Sequence, residues 1–244
     1  MTRHLAVTLA VVCGFCLVSL PAFAQGSLYG ILGGSGPASN ATPSFLGATG
    51  LLITPTAMVA PPLKAAGYFH SIASDPNQNF WGATVGLPGG LEVSGVRLEK
   101  LEPLPADPGV PRDATVFNAK YQIPLGSLAD ALAPKVAVGV FDATNEVNRT
   151  YYLTLSRSLS LVQSARASLN LHAGWGVPDQ DGTRLDGLFG GLDFSPFSGA
   201  LIQVEYDAKD INADVRYSPT PWVSLDAGVV AGDFAWGATL RSDW

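Results

Sequence analysis

The chain has 244 residues, 47% of them hydrophobic and 14% charged, with a formal net charge of −6. That acidic balance argues against nucleic acid as a partner. Beyond the N-terminus no apolar run approaches the roughly 18 residues of a membrane helix, so a membrane form would have to be a closed barrel.

Met1-Thr2-Arg3-His4 is a short basic start, followed by an apolar run from Leu5 to Leu20, Pro21 and Ala22-Phe23-Ala24. This order predicts a secretory signal over residues 1–24, cleaved after Ala24. Cys13 and Cys16 both fall inside it, so the mature chain has no thiol and no disulfide framework. Residues 25–62 read as a leader. Gln25 to Ser44 is rich in Gly, Ser, Ala and Asn and predicts a flexible stretch. Phe45 to Pro62 carries Leu51-Leu52-Ile53 between Gly50 and Pro55, too short a run to cross a bilayer. It fits a short periplasmic strand or a plug segment.

From residue 63 to 244 short alternating runs follow one another between turn signals. The first, Lys64 to Ala73, has no clear parity because Tyr68 and Phe69 are adjacent. Trp81, Ala83, Val85 and Leu87 share a face, and Pro88-Gly89-Gly90 turns the chain into Leu91 to Glu99. There the apolar parity changes between Val93 and Val96, which predicts a bulge near Gly95. Phe117, Ala119 and Tyr121 oppose Asn118, Lys120 and Gln122; further runs centre on Val138, Leu153, Leu171, Leu192, Val204, Val215 and Leu225. The last run places Phe234, Trp236, Leu240 and Trp244 on one face, opposite Thr239 and Arg241. A terminal aromatic on such a strand is read as the closing, insertion-signal strand of an outer-membrane barrel, and Trp244→Ser is expected to lower assembly.

The runs number twelve, and the fold class that follows is all-β: an antiparallel transmembrane β-barrel of about 12 strands over residues 63–244. The faces opposite the apolar ones carry Gly, Ser, Thr, Asn and isolated charges, as suits a lumen; a soluble secreted β-sandwich binding module is the rival architecture. If Trp244 ends on the periplasmic side, the turns at 88–90, 195–199 and 218–221 fall inside and the acidic connections at 100–113, 145–149 and 176–186 fall outside.

Three stretches resemble a known family. Thr49-Gly50-Leu51-Leu52-Ile53-Thr54-Pro55-Thr56-Ala57 resembles the N-terminal motif of the YjbH family of exopolysaccharide-associated outer-membrane proteins. Phe117-Asn118-Ala119-Lys120-Tyr121 and Asn145 to Tyr152 resemble it more loosely. The resemblance implies an outer-membrane barrel linked to surface polysaccharide, and it supplies no catalytic residues.

The chemistry read from the residues themselves is sparse. His172, Ser168 and Asp193 invite a hydrolase reading, but Ser168 and His172 stand about 13 Å apart along one strand face and no nucleophile elbow is present. The mature chain has only His70 and His172 and no cysteine, so no metal site or cofactor is expected and the chain is read as no enzyme. Lumen-lining candidates are Lys120, Arg166, His172, Glu205, Asp207, Asp214, Arg216, Asp226 and Arg241. Opposite charges facing one another across the lumen would fill and rigidify it; a selectivity lining is the functional alternative. The expected role is structural or transport-related in envelope or surface polysaccharide assembly, at the cell outer membrane, with a narrow pore for small solutes as the alternative. Outer-membrane lipid and lipopolysaccharide, the barrel-insertion machinery and polysaccharide are the expected partners.

Overall fold

The computed structural model describes residues 42–101, 112–125, 134–160, 168–180, 184–197 and 199–242. The signal at 1–24, residues 25–41 of the leader, Arg166 and Trp244 lie outside the described residues. The strands are β1 (Ala65–Ile72), β2 (Gln78–Leu87), β3 (Leu91–Leu101), β4 (Arg112–Ile123), β5 (Lys135–Phe141) and β6 (Thr150–Ser160). They continue as β7 (Ser168–Pro178), β8 (Gly187–Ser195), β9 (Ala200–Tyr206), β10 (Ile211–Thr220), β11 (Val223–Val230) and β12 (Asp233–Arg241). Each pairs antiparallel with its chain neighbours, and β12 pairs with β1 from Ala66↔Arg241 to Ile72↔Ala235, closing a 12-stranded barrel.

Polarity decides against a sandwich. Leu188 and Leu240 are each 61% exposed and Trp175 57%, so the apolar faces of the strands are not covered by a second sheet. The largest fully buried side chains, by contrast, include Arg216, Lys120, Gln203 and Glu92. Apolar outside and polar inside is the arrangement with which a closed barrel meets lipid while satisfying every strand's backbone bonds.

Inward aromatic rings find room over glycine on the neighbouring strand. Tyr152 lies over its partner Gly139, Phe189 over Gly174 and His70 over Gly237, each directly paired in register. At all three a Cβ would run into the ring.

The expected bulge near Gly95 is absent: β2 and β3 stay in register from Asn79↔Glu99 to Leu87↔Leu91. Val96 and Leu98 instead point into the lumen, where they join Phe45, Leu52 and Ile53 in an apolar cluster. Gly95 keeps its outward parity because the Phe117 ring covers it, 3.2 Å from where a Cβ would sit. The run at 64–73 resolves with Ala66, Tyr68, His70 and Ile72 buried, while Phe69 packs on Trp236 at 5.4 Å between centroids. The turn expected at Ser218 begins later. β10 continues to Thr220 with its register shifted between Tyr217 and Thr220, which accommodates Pro219, a residue without a ladder donor.

The barrel end at which β1 starts and β12 finishes is termed the near end. Its β2–β3 turn uses Gly89 and Gly90 at φ 81° and 84°. At the far end the β9–β10 and β11–β12 turns are short, with Ala208 and Ala231 at positive φ.

Candidate functional site

Residues 42–62 fill the lumen. Thr42, Phe45, Leu51, Leu52, Ile53, Thr54, Thr56 and Ala57 are all buried. The segment folds on itself in tight turns, with Phe45 N donating to Leu52 O (2.7 Å), Gly50 N to Thr42 O (3.0 Å) and Leu51 N to Thr54 O (3.0 Å). Too few residues lie between its glycines and prolines for a strand, so its remaining polar groups turn to the barrel wall. Both of its ends lie at the near end. Thr42 Oγ1 accepts from Arg241 Nη1 (3.2 Å), and Pro62 bridges Gly86 just before β1. The Phe45 ring stacks on His70 at 4.2 Å, and Leu46 bridges the two apolar clusters of the interior.

Two buried carboxylates hold the plug. Glu92 on β3 accepts from Thr49 N (2.8 Å), Ala60 N (2.7 Å) and the Thr49 hydroxyl, and pairs with Lys120 Nζ at 3.3 Å. Lys120, opposite Glu92 in register, donates to Thr49 O at 2.7 Å. Glu205 on β9 accepts from Ile53 N (2.9 Å), Thr54 N (3.0 Å), Thr54 Oγ1 (2.8 Å) and Asn212 Nδ2 (2.9 Å). Hydrogen bonds to a charged acceptor are the strong class, about 1.5–3 kcal/mol each. Neutral contacts complete the hold: Thr84 Oγ1 to Gly47 O (2.6 Å), Asn118 Nδ2 to Leu46 O (2.7 Å) and Gln122 Nε2 to Ala57 O (2.7 Å).

A third anchor is a row of side chains across β6, β7 and β8. Ala57 N donates to Ser156 Oγ (2.8 Å), which meets His172 Nδ1 at 2.8 Å; His172 Nε2 meets Asp193 at 2.8 Å, and Asn170 donates to the same carboxylate at 2.5 Å. His172 thus partners Ser156, its cross-strand neighbour, and not Ser168. The Ser156 oxygen accepts from the Ala57 amide while His172 bridges it to the Asp193 carboxylate. The row is a hydrogen-bond chain ending on the plug.

The far-end loop after β5 is tied into the same network. Asn118 Oδ1 accepts from Asp142 N (2.9 Å), and the Asp142 carboxylate accepts from the backbone N–H groups of Glu146 (3.0 Å), Val147 (2.6 Å) and Asn148 (2.9 Å). Arg149 at its rim donates to Asp179 at 2.9 Å, a bond that raises its guanidinium further above its ordinary value.

The described lumen candidates, Lys120, His172, Glu205, Asp214, Arg216, Asp226 and Arg241, are buried within the barrel, and Asp207 is buried at the far end of β9. The charges do not pair across the lumen as expected. Lys120 binds Glu92, and Arg216 binds Asp226 on the adjacent strand, because neighbouring strands bring side chains closer than opposite walls do. Asp207 takes Arg184 from the β7–β8 loop, and its Oδ1 accepts from Asp210 N at 2.8 Å. Phe234, Trp236 and Leu240 face outward as expected of a closing strand, 52%, 46% and 61% exposed. Glu92 and Ser156 were not among the candidates. Glu92 sits in the run whose apolar parity changes between Val93 and Val96, and Ser156 is set apart only by its register with His172. Among the described residues no group of His, Cys, Asp and Glu is arranged to hold a metal ion.

No family model and no curated protein matches the chain. Solved structures similar to it include a KdgM porin, at 11% identity and a TM-score of 0.44, and a KdgM porin in complex with disordered oligogalacturonate, at 11% and 0.45. Each likeness covers 74% of this chain and 99% of the other. The fold class rests on the closed strand pairing of the chain itself.

Proposed function

We propose that this chain is an outer-membrane barrel, closed at rest by its own N-terminal segment, that serves in the assembly or passage of surface polysaccharide. One observation carries the reading: the three stretches that resemble the exopolysaccharide-associated family form a single constellation. Lys120 of the second stretch donates to Thr49 O, Asn118 of the same stretch donates to Leu46 O just before the first stretch, and Asn118 Oδ1 accepts from Asp142 N in the loop that leads into the third. The first two stretches therefore meet in one lumen, and the third is joined to them through Asp142 at the far end. A plug hung on polar contacts, with both ends at one mouth, suits a passage that opens on demand better than a permanently open pore for small solutes. In the Ser156, His172 and Asp193 row the serine oxygen accepts from the plug amide of Ala57, which covers it. Lipid and lipopolysaccharide would face the outer belt, and the insertion machinery would meet β12.

Loss of the chain from producing cells tests the reading. The expected result is a lower yield or altered length distribution of extracted surface polysaccharide, restored by the intact chain; unchanged polysaccharide in both respects contradicts it.

A further inference from the structure

Most wall residues that touch the plug do so through single polar contacts, but the wall formed by β8, β9 and β10 carries more polar groups than the plug uses. Asp193, Gln203 and Asp214 are directly paired in register across these three strands and all face inward. With neighbouring strands about 4.8 Å apart, the two carboxylates flank Gln203 within about 10 Å. Glu205 lies two residues along from Gln203 on the same face. Gln203 is fully buried and Asp214 is 2% exposed, yet neither amide atom of Gln203 and neither oxygen of Asp214 has a hydrogen-bond partner. Buried polar groups are rarely left so, and each such group asks for a reason.

Of the cations nearby, Arg216 shares the inward face of β10 with Asp214 two residues away, and its Nη1 has no hydrogen-bond partner. Lys120 is paired with Glu92, and Arg216 with Asp226. Arg241 at the near end donates to Pro221 O (2.8 Å), Thr42 and Ser218. What covers Glu205 is instead the plug, which offers it the N–H groups of Ile53 and Thr54 and the Thr54 hydroxyl. Beside it Leu51 sits over Gly191, where even a Cβ would reach the leucine at 2.7 Å. The plug thus presents donors to a wall of acceptors.

Building on the passage reading above, we infer that this β8–β10 wall is a saccharide subsite, occupied at rest by the plug, that takes an amine-bearing sugar unit when the plug withdraws. A protonated amine is the ligand group that three clustered carboxylates favour over a neutral or anionic one. The Gln203 amide between them supplies the paired donor and acceptor that a sugar hydroxyl requires.

The test uses the full mature chain in planar bilayers with the plug loosened by Thr49→Val and Thr54→Pro, which remove donors to both clamps. Glucosamine hexasaccharide is expected to block the current at a concentration at least tenfold lower than N-acetylglucosamine hexasaccharide or galacturonate hexasaccharide. Adding Asp214→Asn and Glu205→Gln should shrink that preference at least fivefold. Equal block by all three sugars, or preferential block by galacturonate, overturns the subsite while leaving passage intact. The wild-type chain under stepped voltage provides a second route to the open state should the loosened variant fail to assemble. Folded, heat-modifiable protein that carries no current by either route overturns the passage reading and the subsite with it.

Discussion

Glu92 and Glu205 each bring several donors of a non-repetitive segment to one buried charge, and this explains how a stretch without strand or helix is held in a lumen. The backbone amides of Ile53 and Thr54 have Glu205 as their acceptor. Glu205→Ala leaves both amides without it, at a cost of about 1–3 kcal/mol apiece. Hydrogen exchange at Ile53 and Thr54 should then accelerate at least tenfold while strand amides stay protected; unchanged exchange would show that other contacts hold the plug. Ser156 makes the complementary case. Its hydroxyl meets His172, and His172 meets Asp193, in a sequence of partners found in serine hydrolases. The plug amide of Ala57 covers Ser156, and the row is expected to serve as a hydrogen-bond chain to the plug. A fluorophosphonate probe should leave Ser156 unlabelled in the folded barrel, and stoichiometric labelling would identify it as a nucleophile instead.

At the scale of single elements, ring-over-glycine pairs explain why glycines recur on the inward face of strands that otherwise need side chains. A Cβ at Gly139 would meet only atoms of the Tyr152 side chain within its nearest contacts. Gly139→Val should therefore cut the heat-modifiable fraction of the protein by more than half, and adding Tyr152→Ala should bring it back to the level of Tyr152→Ala alone. Failure of the second change to rescue would place the fault in β5 itself. The strands were legible in the sequence because an apolar exterior and a polar interior impose a period of two, as the uninterrupted alternation from Leu169 to Trp175 shows. Reading failed where the interior is apolar. Val96 and Leu98 break the alternation because they pack on Phe45, Leu52 and Ile53 of the plug, a contact that nothing local to β3 announces. The plug's placement was only half legible for the same reason: Gly and Pro excluded a spanning strand, but its partners lie on β1, β2, β3, β4, β6, β9 and β12. Lys120 was found by its parity, whereas Glu92, its partner in register, was hidden by the parity break beside it.

For the molecule as a whole, the closed hydrogen-bonded wall and the plug are separable in kind. The wall is continuous backbone pairing through all twelve strands. The plug is joined to it largely by side chains, and it enters and leaves at the near end, where Thr42 meets Arg241 and Pro62 meets Gly86. Withdrawal through that mouth breaks no strand pair. The membrane-facing belt, the filled interior and the acceptor-rich β8–β10 wall then describe one device, a barrel that carries its own stopper.

Thiol protection at position 57 tests that description most directly. Ala57 is fully buried and Leu63, just outside the lumen, is 79% exposed; the chain's two cysteines, Cys13 and Cys16, lie within the expected signal and are replaced by serine for this measurement. In Ala57→Cys protein folded in membranes or mild detergent, a small maleimide should fail to label position 57 while labelling Leu63→Cys promptly, and boiling should make the two equal. Labelling of position 57 at the rate of position 63 before boiling would mean that residues 42–62 do not occupy the lumen.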